Sequence, residues 1–170
     1  MIYNRETAVL YGLTYALTPN PAYIYIADND CTNFISQCLR AGGALNDYGG
    51  SHPWWYAGGG YSVSWSVAES LYWYIRVNST ESGFGIKADT YYLDNYDAYG
   101  EQIAGKVELG DIIQYRNTRW RIQHTAIITD FDEYTGEPLL SQHTFNGRNV
   151  TWRKPIFVQA IFHHITNINQ

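Results

Sequence analysis

The chain changes texture near Val107, and that change constrains its fold more than any other feature. Before it the clearest apolar pattern has helical spacing; after it, apolar residues come in short β-branched runs cut by turns. Leu10, Leu13 and Leu17, flanked by Val9 and Ala16, predict a helix over residues 4–18 that Pro19-Asn20-Pro21 stops. The capping-rich run Asp28-Asn29-Asp30 opens a second helix over 31–41, and Gly42-Gly43 ends it. A third helix is predicted over 64–76, with Ser64 or Ser66 as its cap. Residues 46–60 read as a long aromatic loop, and 78–105 are turn-rich and receive no element. Strands are predicted over 112–116, 124–131, 139–144 and 156–163. Helices first and an antiparallel meander afterwards is an α+β layout, N-terminal helices packed on an antiparallel β-sheet. No repeat or boundary divides residues 1–170, so a single domain is expected.

The 170 residues are enough to bury a core, and an apolar fraction of 45% against 16% charged is that of a globular chain. No apolar run approaches the length of a membrane span. A net charge of −5, with no Lys/Arg cluster, argues against nucleic acid or an anionic membrane as the main partner. Met1 to Glu6 lacks the basic-then-apolar layout of a signal peptide, so the chain is expected to be either cytosolic as written or a domain of an exported protein. Aromatics are abundant, with 16 Tyr and 6 Trp. Trp54, Trp55, Tyr61 and Trp65 are candidates to line a substrate groove, each with a polar tip on an apolar body.

The two cysteines, Cys31 and Cys38, fall on the same predicted helix, where a seven-residue separation spans roughly 10 Å. A disulfide cannot bridge that distance, so both are expected as free thiols with separate roles. Cys38 reads as a small buried hydrophobe. Cys31 stands at the helix start, where unpaired N–H groups and the positive end of the macrodipole favour a thiolate, the reactive form of the side chain. Its own N–H is a candidate oxyanion donor, and Asn29 the nearest side-chain support. Asp28 and Asp30 would oppose ionisation unless their carboxylates turn away from the sulfur.

A nucleophilic cysteine needs an imidazole, itself held by a third group. Of the five histidines, His124 heads an apolar strand, Thr125-Ala126-Ile127-Ile128-Thr129, and is the candidate base. The third member should come from the next strand. Pairing Phe131 with Gly136 sets His124 opposite His143; pairing Asp132 with Leu139 brings Asn146 closest. His143 is the expected orienter, with Asn146 and then Gln142 as alternatives, because sequence does not fix the register.

The run Asp30-Cys31-Thr32-Asn33-Phe34-Ile35-Ser36-Gln37-Cys38-Leu39, then Ala41-Gly42-Gly43, resembles the bacterial family known as the putative amidase domain, related to the NlpC-type and CHAP peptidoglycan hydrolases. The resemblance extends through Tyr3-Asn4-Arg5, Ala8-Val9, Asn20-Pro21, Tyr61-Ser62, Ser64-Trp65, Leu109-Gly110-Asp111-Ile112-Ile113 and His124. It implies a papain-like cysteine hydrolase fold, with Cys31 as nucleophile, His124 as base and a polar residue on the following strand, which His143 satisfies. It also implies an amide bond of bacterial peptidoglycan as substrate, no cofactor or metal, and work outside the cytoplasm, at the cell wall. The domain is expected to act as a monomer. Two rivals remain: a zinc amidase built on His124, His143 and a carboxylate such as Asp130, and a catalytically silent wall-binding module in which the aromatic loop does the work. An acyltransferase on the same Cys–His pair would differ only in what resolves the thioester.

Overall fold

The structure, a computed structural model, describes residues 1–80, 83–94 and 99–170, and in these the side chains of all but 78–80 and 101. Helix α1 covers Arg5–Tyr15; the Asn4 side chain caps it by accepting from the Thr7 N–H. It is shorter than expected and packs through the other face. Ala8, Gly12 and Ala16 are buried, while Leu10 and Leu17 are exposed. A Cβ on Gly12 would sit 3.2 Å from both Ile127 and Thr129 methyls, so the missing side chain lets the helix lie close on the sheet.

Helix α2, Cys31–Ala41, is the spine of the domain, and every residue from Cys31 to Leu39 is buried. Burial on all sides requires its polar side chains to be paired. Asn33 donates to the Ile24 carbonyl and accepts from Trp65 Nε1; Ser36 donates to the Trp65 carbonyl and accepts from Trp54 Nε1; Gln37 accepts from the Tyr11 hydroxyl. Gly42 and Gly43 end the helix as expected, the latter at φ 105°.

Residues 46–60 are more ordered than a long loop. Asp47 and Trp54 pair their backbones, and β1 (Tyr56–Ala57) with β2 (Gly60–Tyr61) make a small hairpin around Gly58-Gly59, both at positive φ. The expected third helix is two: α3, Val63–Ser66, capped by Ser62 rather than Ser64 or Ser66, and α4, Ala68–Thr80, separated by an extended Val67. The unassigned stretch contains β3, Ile86–Leu93, and a short α5, Tyr99–Gln102.

The remaining strands are β4 (Ile112–Arg116), β5 (Ile122–Phe131), β6 (Pro138–Gln142), β7 (Gly147–Thr151) and β8 (Gln159–Ile168). They form one antiparallel sheet in the order β3-β8-β4-β5-β6-β7. The meander expectation fails at β8, which inserts between β3 and β4. The class is α+β, with both faces of the sheet covered. Helices α1, α2 and α4 pack with Ile112, Ile127 and Ile165; Tyr99, Ile103 and Trp152 cover Ile113, Tyr115, Ala126, Ile128 and Phe162 on the reverse. Among the described residues, no helix is long and apolar enough to cross a membrane.

Candidate active site

Cys31 is the first residue of α2, and it is 3% exposed. Its Sγ lies 3.7 Å from Thr32 Oγ1 and 3.9 Å from the carbonyl oxygen of Gln123, the residue preceding His124. Cys38 lies two turns deeper, fully buried, and burial pushes its thiol far above the usual range. Neither cysteine is in a disulfide. One thiol thus faces the end of a strand and the other is sealed in the core.

The acidic run before Cys31 is turned away from the sulfur. Asp30 is 2% exposed; its Oδ1 accepts from the Ile26 N–H and from Asn33 Nδ2, and its Oδ2 meets His143 Nδ1. His143 Nε2 faces the Tyr15 carbonyl at 2.7 Å, and the ring stacks on Phe34 at 3.9 Å between centroids. A carbonyl can only accept, so His143 Nε2 carries a proton, and another is shared with Asp30. Both nitrogens of His143 are occupied in holding the start of α2.

That corrects the expected orienter. A bulge between Ile128 and Asp130 gives Phe131 the partner Pro138 rather than Gly136, so neither anticipated register occurs. Gln142 reaches the candidate base instead, with His124 Nε2 at 3.0 Å from Gln142 Oε1. Gln142 Nε2 donates to the Phe145 carbonyl, which fixes the amide with its oxygen toward the ring. His124 Nε2 must therefore be the protonated nitrogen, and the neutral ring keeps its lone pair on Nδ1. Asn146 does not orient the base; it is exposed in the turn after β6.

The imidazole is 5% exposed and lies nearly parallel to Phe157, beside Tyr115. Burial, joined by the charge of Lys154, pulls its pKa down to about 4 against the raising effect of Gln142. The ring is neutral at pH 7. Sγ and the ring make no hydrogen bond to each other among the described residues; Sγ approaches over the Gln123 carbonyl from the α2 side, and the ring packs on the reverse face.

The depressed histidines also set a pH dependence. His124 and the fully buried His163, pulled to about 3 by burial and the charge of Arg76, bind protons in the unfolded chain near pH 6.5 but not in the native one. Between those values and pH 6.5 the unfolded state holds more protons, so stability is fully present above about 6.5 and is lost as pH falls toward 4 and below, by a few kcal/mol. Thermal melts at pH 7.5 and 4.5 should show a Tm lower by more than about 5 °C in acid; equal values would contradict the buried neutral rings.

Beside the helix start is a depression of about 560 Å³ lined by Tyr25, Asp28, Asp30, Thr144, Phe145 and Asn146. Its far wall is strained: Thr144 and Phe145 have φ of 53° and 66°, costly for a β-branched and an aromatic residue. Two bonds hold that turn, from the Asp30 N–H to Thr144 Oγ1 and from Gln142 to the Phe145 carbonyl. Phe145 is 86% exposed. Of the expected groove residues, Trp54 and Trp65 are not available: both are fully buried under α2, their rings tilted against one another at 4.9 Å between centroids. Trp55 and Tyr61 are half-buried. Asn29 is exposed, with its N–H on the Ile26 carbonyl.

The zinc arrangement does not form. His124 and His143 emerge on opposite faces of the sheet, and Asp130 accepts from the Phe131 N–H. Among the described residues no group of three or more His, Cys, Asp or Glu is placed to hold a metal ion.

The family model described as "Putative amidase domain" matches residues 2–165. The chain belongs to that family. Membership makes amidase chemistry, hydrolysis of a C–N amide bond, the general activity expected of this amidase domain. It is similar to two uncharacterized proteins of Bacillus subtilis (strain 168): YhbB, 34% identical over 156 residues, and YjcM, 33% identical over 156 residues. The alignments cover 88% and 87% of this amidase domain but 44% and 32% of those proteins, so the chain spans less than half the length of the curated relatives it matches. No solved structure matches it.

Proposed function

We propose that the domain is a papain-like cysteine amidase that cleaves an amide bond of bacterial peptidoglycan, with Cys31 as nucleophile and His124 as base. The observation that carries this reading is the bonding of His124: Gln142 takes Nε2–H and leaves a basic Nδ1 on the strand end that Cys31 Sγ overhangs. A nucleophile at a helix start, a base on a neighbouring strand and an amide that fixes the base's tautomer are the three parts that acyl transfer needs.

In the proposed cycle the Cys31 sulfur attacks the amide carbonyl carbon while its proton passes to His124 Nδ1. The Cys31 N–H, at the mouth of α2, donates to the oxygen that becomes negative. The tetrahedral adduct collapses, the C–N bond breaks, and His124 returns the proton to the leaving amine. Water, deprotonated by His124, then hydrolyses the thioester and restores the thiol. The cycle requires Sγ and Nδ1, which approach the end of β5 from opposite faces in the free domain, to meet around that strand end when substrate binds. Tyr25 and Phe145 offer aromatic faces to the peptide, and Asp28 offers a charge for an amine-bearing residue. The reading places the domain at the cell wall, acting as a monomer.

The test is digestion of purified peptidoglycan followed by mass spectrometry. New amine and carboxyl termini at one type of amide bond, blocked by iodoacetamide and indifferent to chelators, are expected. Intact peptidoglycan, bound but uncut, would replace this reading with the wall-binding one.

A further inference from the structure

His163 is fully buried in β8 and plays no part in the cycle above. It nevertheless connects to the nucleophile. Its Nδ1 lies 2.9 Å from Thr90 Oγ1 and its Nε2 2.9 Å from Gln114 Oε1. Gln114 Nε2 contacts the Ala68 carbonyl at 2.8 Å and Thr125 Oγ1 at 3.2 Å. Thr125 Oγ1 lies 2.9 Å from Thr32 Oγ1, and Thr32 Oγ1 is 3.7 Å from Cys31 Sγ. Thr32, Gln114 and Thr125 are themselves fully buried.

The direction of this chain is fixed by chemistry as far as Thr125. The Ala68 carbonyl only accepts, so the Gln114 atom facing it is the NH₂, which donates to Thr125 as well. Gln114 Oε1 then accepts, and His163 Nε2 must carry the ring's proton. The ring is neutral, its pKa held near 3, so Nδ1 accepts from Thr90. Thr125 accepts from Gln114 and keeps its own hydroxyl proton, which can go to Thr32. Thr32 can then give its proton to the sulfur. The links from Thr90 through His163 and Gln114 to Thr125 all run toward Cys31, and the two hydroxyls are placed to continue them.

We propose that Thr32 is a donor to the Cys31 sulfur, aimed by Thr125, Gln114 and His163 as positioning residues. The inference rests on Cys31 being the nucleophile of the proposed amidase. Its consequence is a thiolate stabilised by a fixed O–H rather than by an imidazolium. His124, neutral through the working range, offers no imidazolium to lean on. The other ionisable groups near the sulfur are Asp30, bound to Ile26, Asn33 and His143, and Asp28 in the adjoining depression. Tyr72 and Arg76 on α4 are the groups that bear on His163.

The experiment measures the rate of iodoacetamide labelling of Cys31 against pH in the full chain, with the labelled peptide identified by mass. Thr32→Val is expected to move the midpoint up by about one pH unit, so that about tenfold less thiolate is present below it. Thr125→Val should move it in the same direction by less, and Thr32→Ser should leave it in place. A natively folded Thr32→Val with an unmoved midpoint overturns the proposal; if that variant does not fold, an unmoved midpoint in Thr125→Val does so. Peptidoglycan digestion run alongside separates the two readings. A shifted midpoint without wild-type hydrolysis ends the amidase reading and keeps the donor; Cys31-dependent hydrolysis with an unmoved midpoint does the reverse.

Discussion

Cys31→Ala is expected to yield a protein that melts within about 2 °C of wild type and releases peptide from peptidoglycan at least about a thousandfold more slowly. The two halves of that expectation come from different parts of the structure. The sulfur contributes little to the fold, because its polar neighbours at 3.7 and 3.9 Å are a hydroxyl already bonded to Thr125 and a strand-end carbonyl. Removing one buried sulfur whose polar contacts are this long falls within the small range of ordinary substitutions. In the proposed cycle, by contrast, catalysis loses the atom that would form the acyl intermediate, and oxyanion and binding contacts alone leave only residual rates. Release of soluble muropeptides, followed by chromatography beside a melting curve, checks both. A folded Cys31→Ala protein that digests at the wild-type rate would eliminate the covalent mechanism.

Asp30→Ala should do the opposite and damage the fold first, by about 3–5 kcal/mol, with Tm lowered by roughly 10 °C. Its carboxylate gathers the Ile26 N–H, the Asn33 amide and the His143 ring, all beneath the surface. Truncation leaves these donors without an acceptor, and a stranded buried polar group carries its full desolvation cost. His143 suffers most, since its other nitrogen is committed to the Tyr15 carbonyl. Asp30→Asn separates charge from shape. The new amide keeps an oxygen for Ile26 and Asn33, and its NH₂ donates to Nδ1 once His143 is neutral, so more than half of the loss should be recovered. Chemical denaturation of the two variants gives the comparison. An alanine protein as stable as wild type would show that this cluster does not hold the helix start.

The legible parts of the chain were those in which one residue's neighbours decide its state. Asp28-Asn29-Asp30 before an apolar helical run located α2 to the residue, and Ile112–Arg116 appeared as a strand with its bounds intact. The third site residue depended instead on pairing between distant strands. With one bulge after Ile128 and another between Leu140 and Gln142, Gln142 meets His124 and His143 faces the helices. Nothing local announces a bulge. Edge strand β3 shows no clear period because its apolar residues serve both cores, Ile86 and Ala88 one and Tyr91 and Leu93 the other, with a bulge after Lys87, and its partner β8 lies far along the chain. Trp54 and Trp65 looked like groove residues because a polar tip suits a surface. Here Ser36 and Asn33 of α2 supply that tip with partners in the interior.

The placement of β8 has a further consequence during synthesis. The strand that separates β3 from β4 is made last, so a ribosome delivers the cysteine helix long before the sheet that must receive it can close. Pairings of such long sequence separation form slowly. A nascent chain therefore carries α2 and its thiol well before β8 can join β3 to the rest of the sheet.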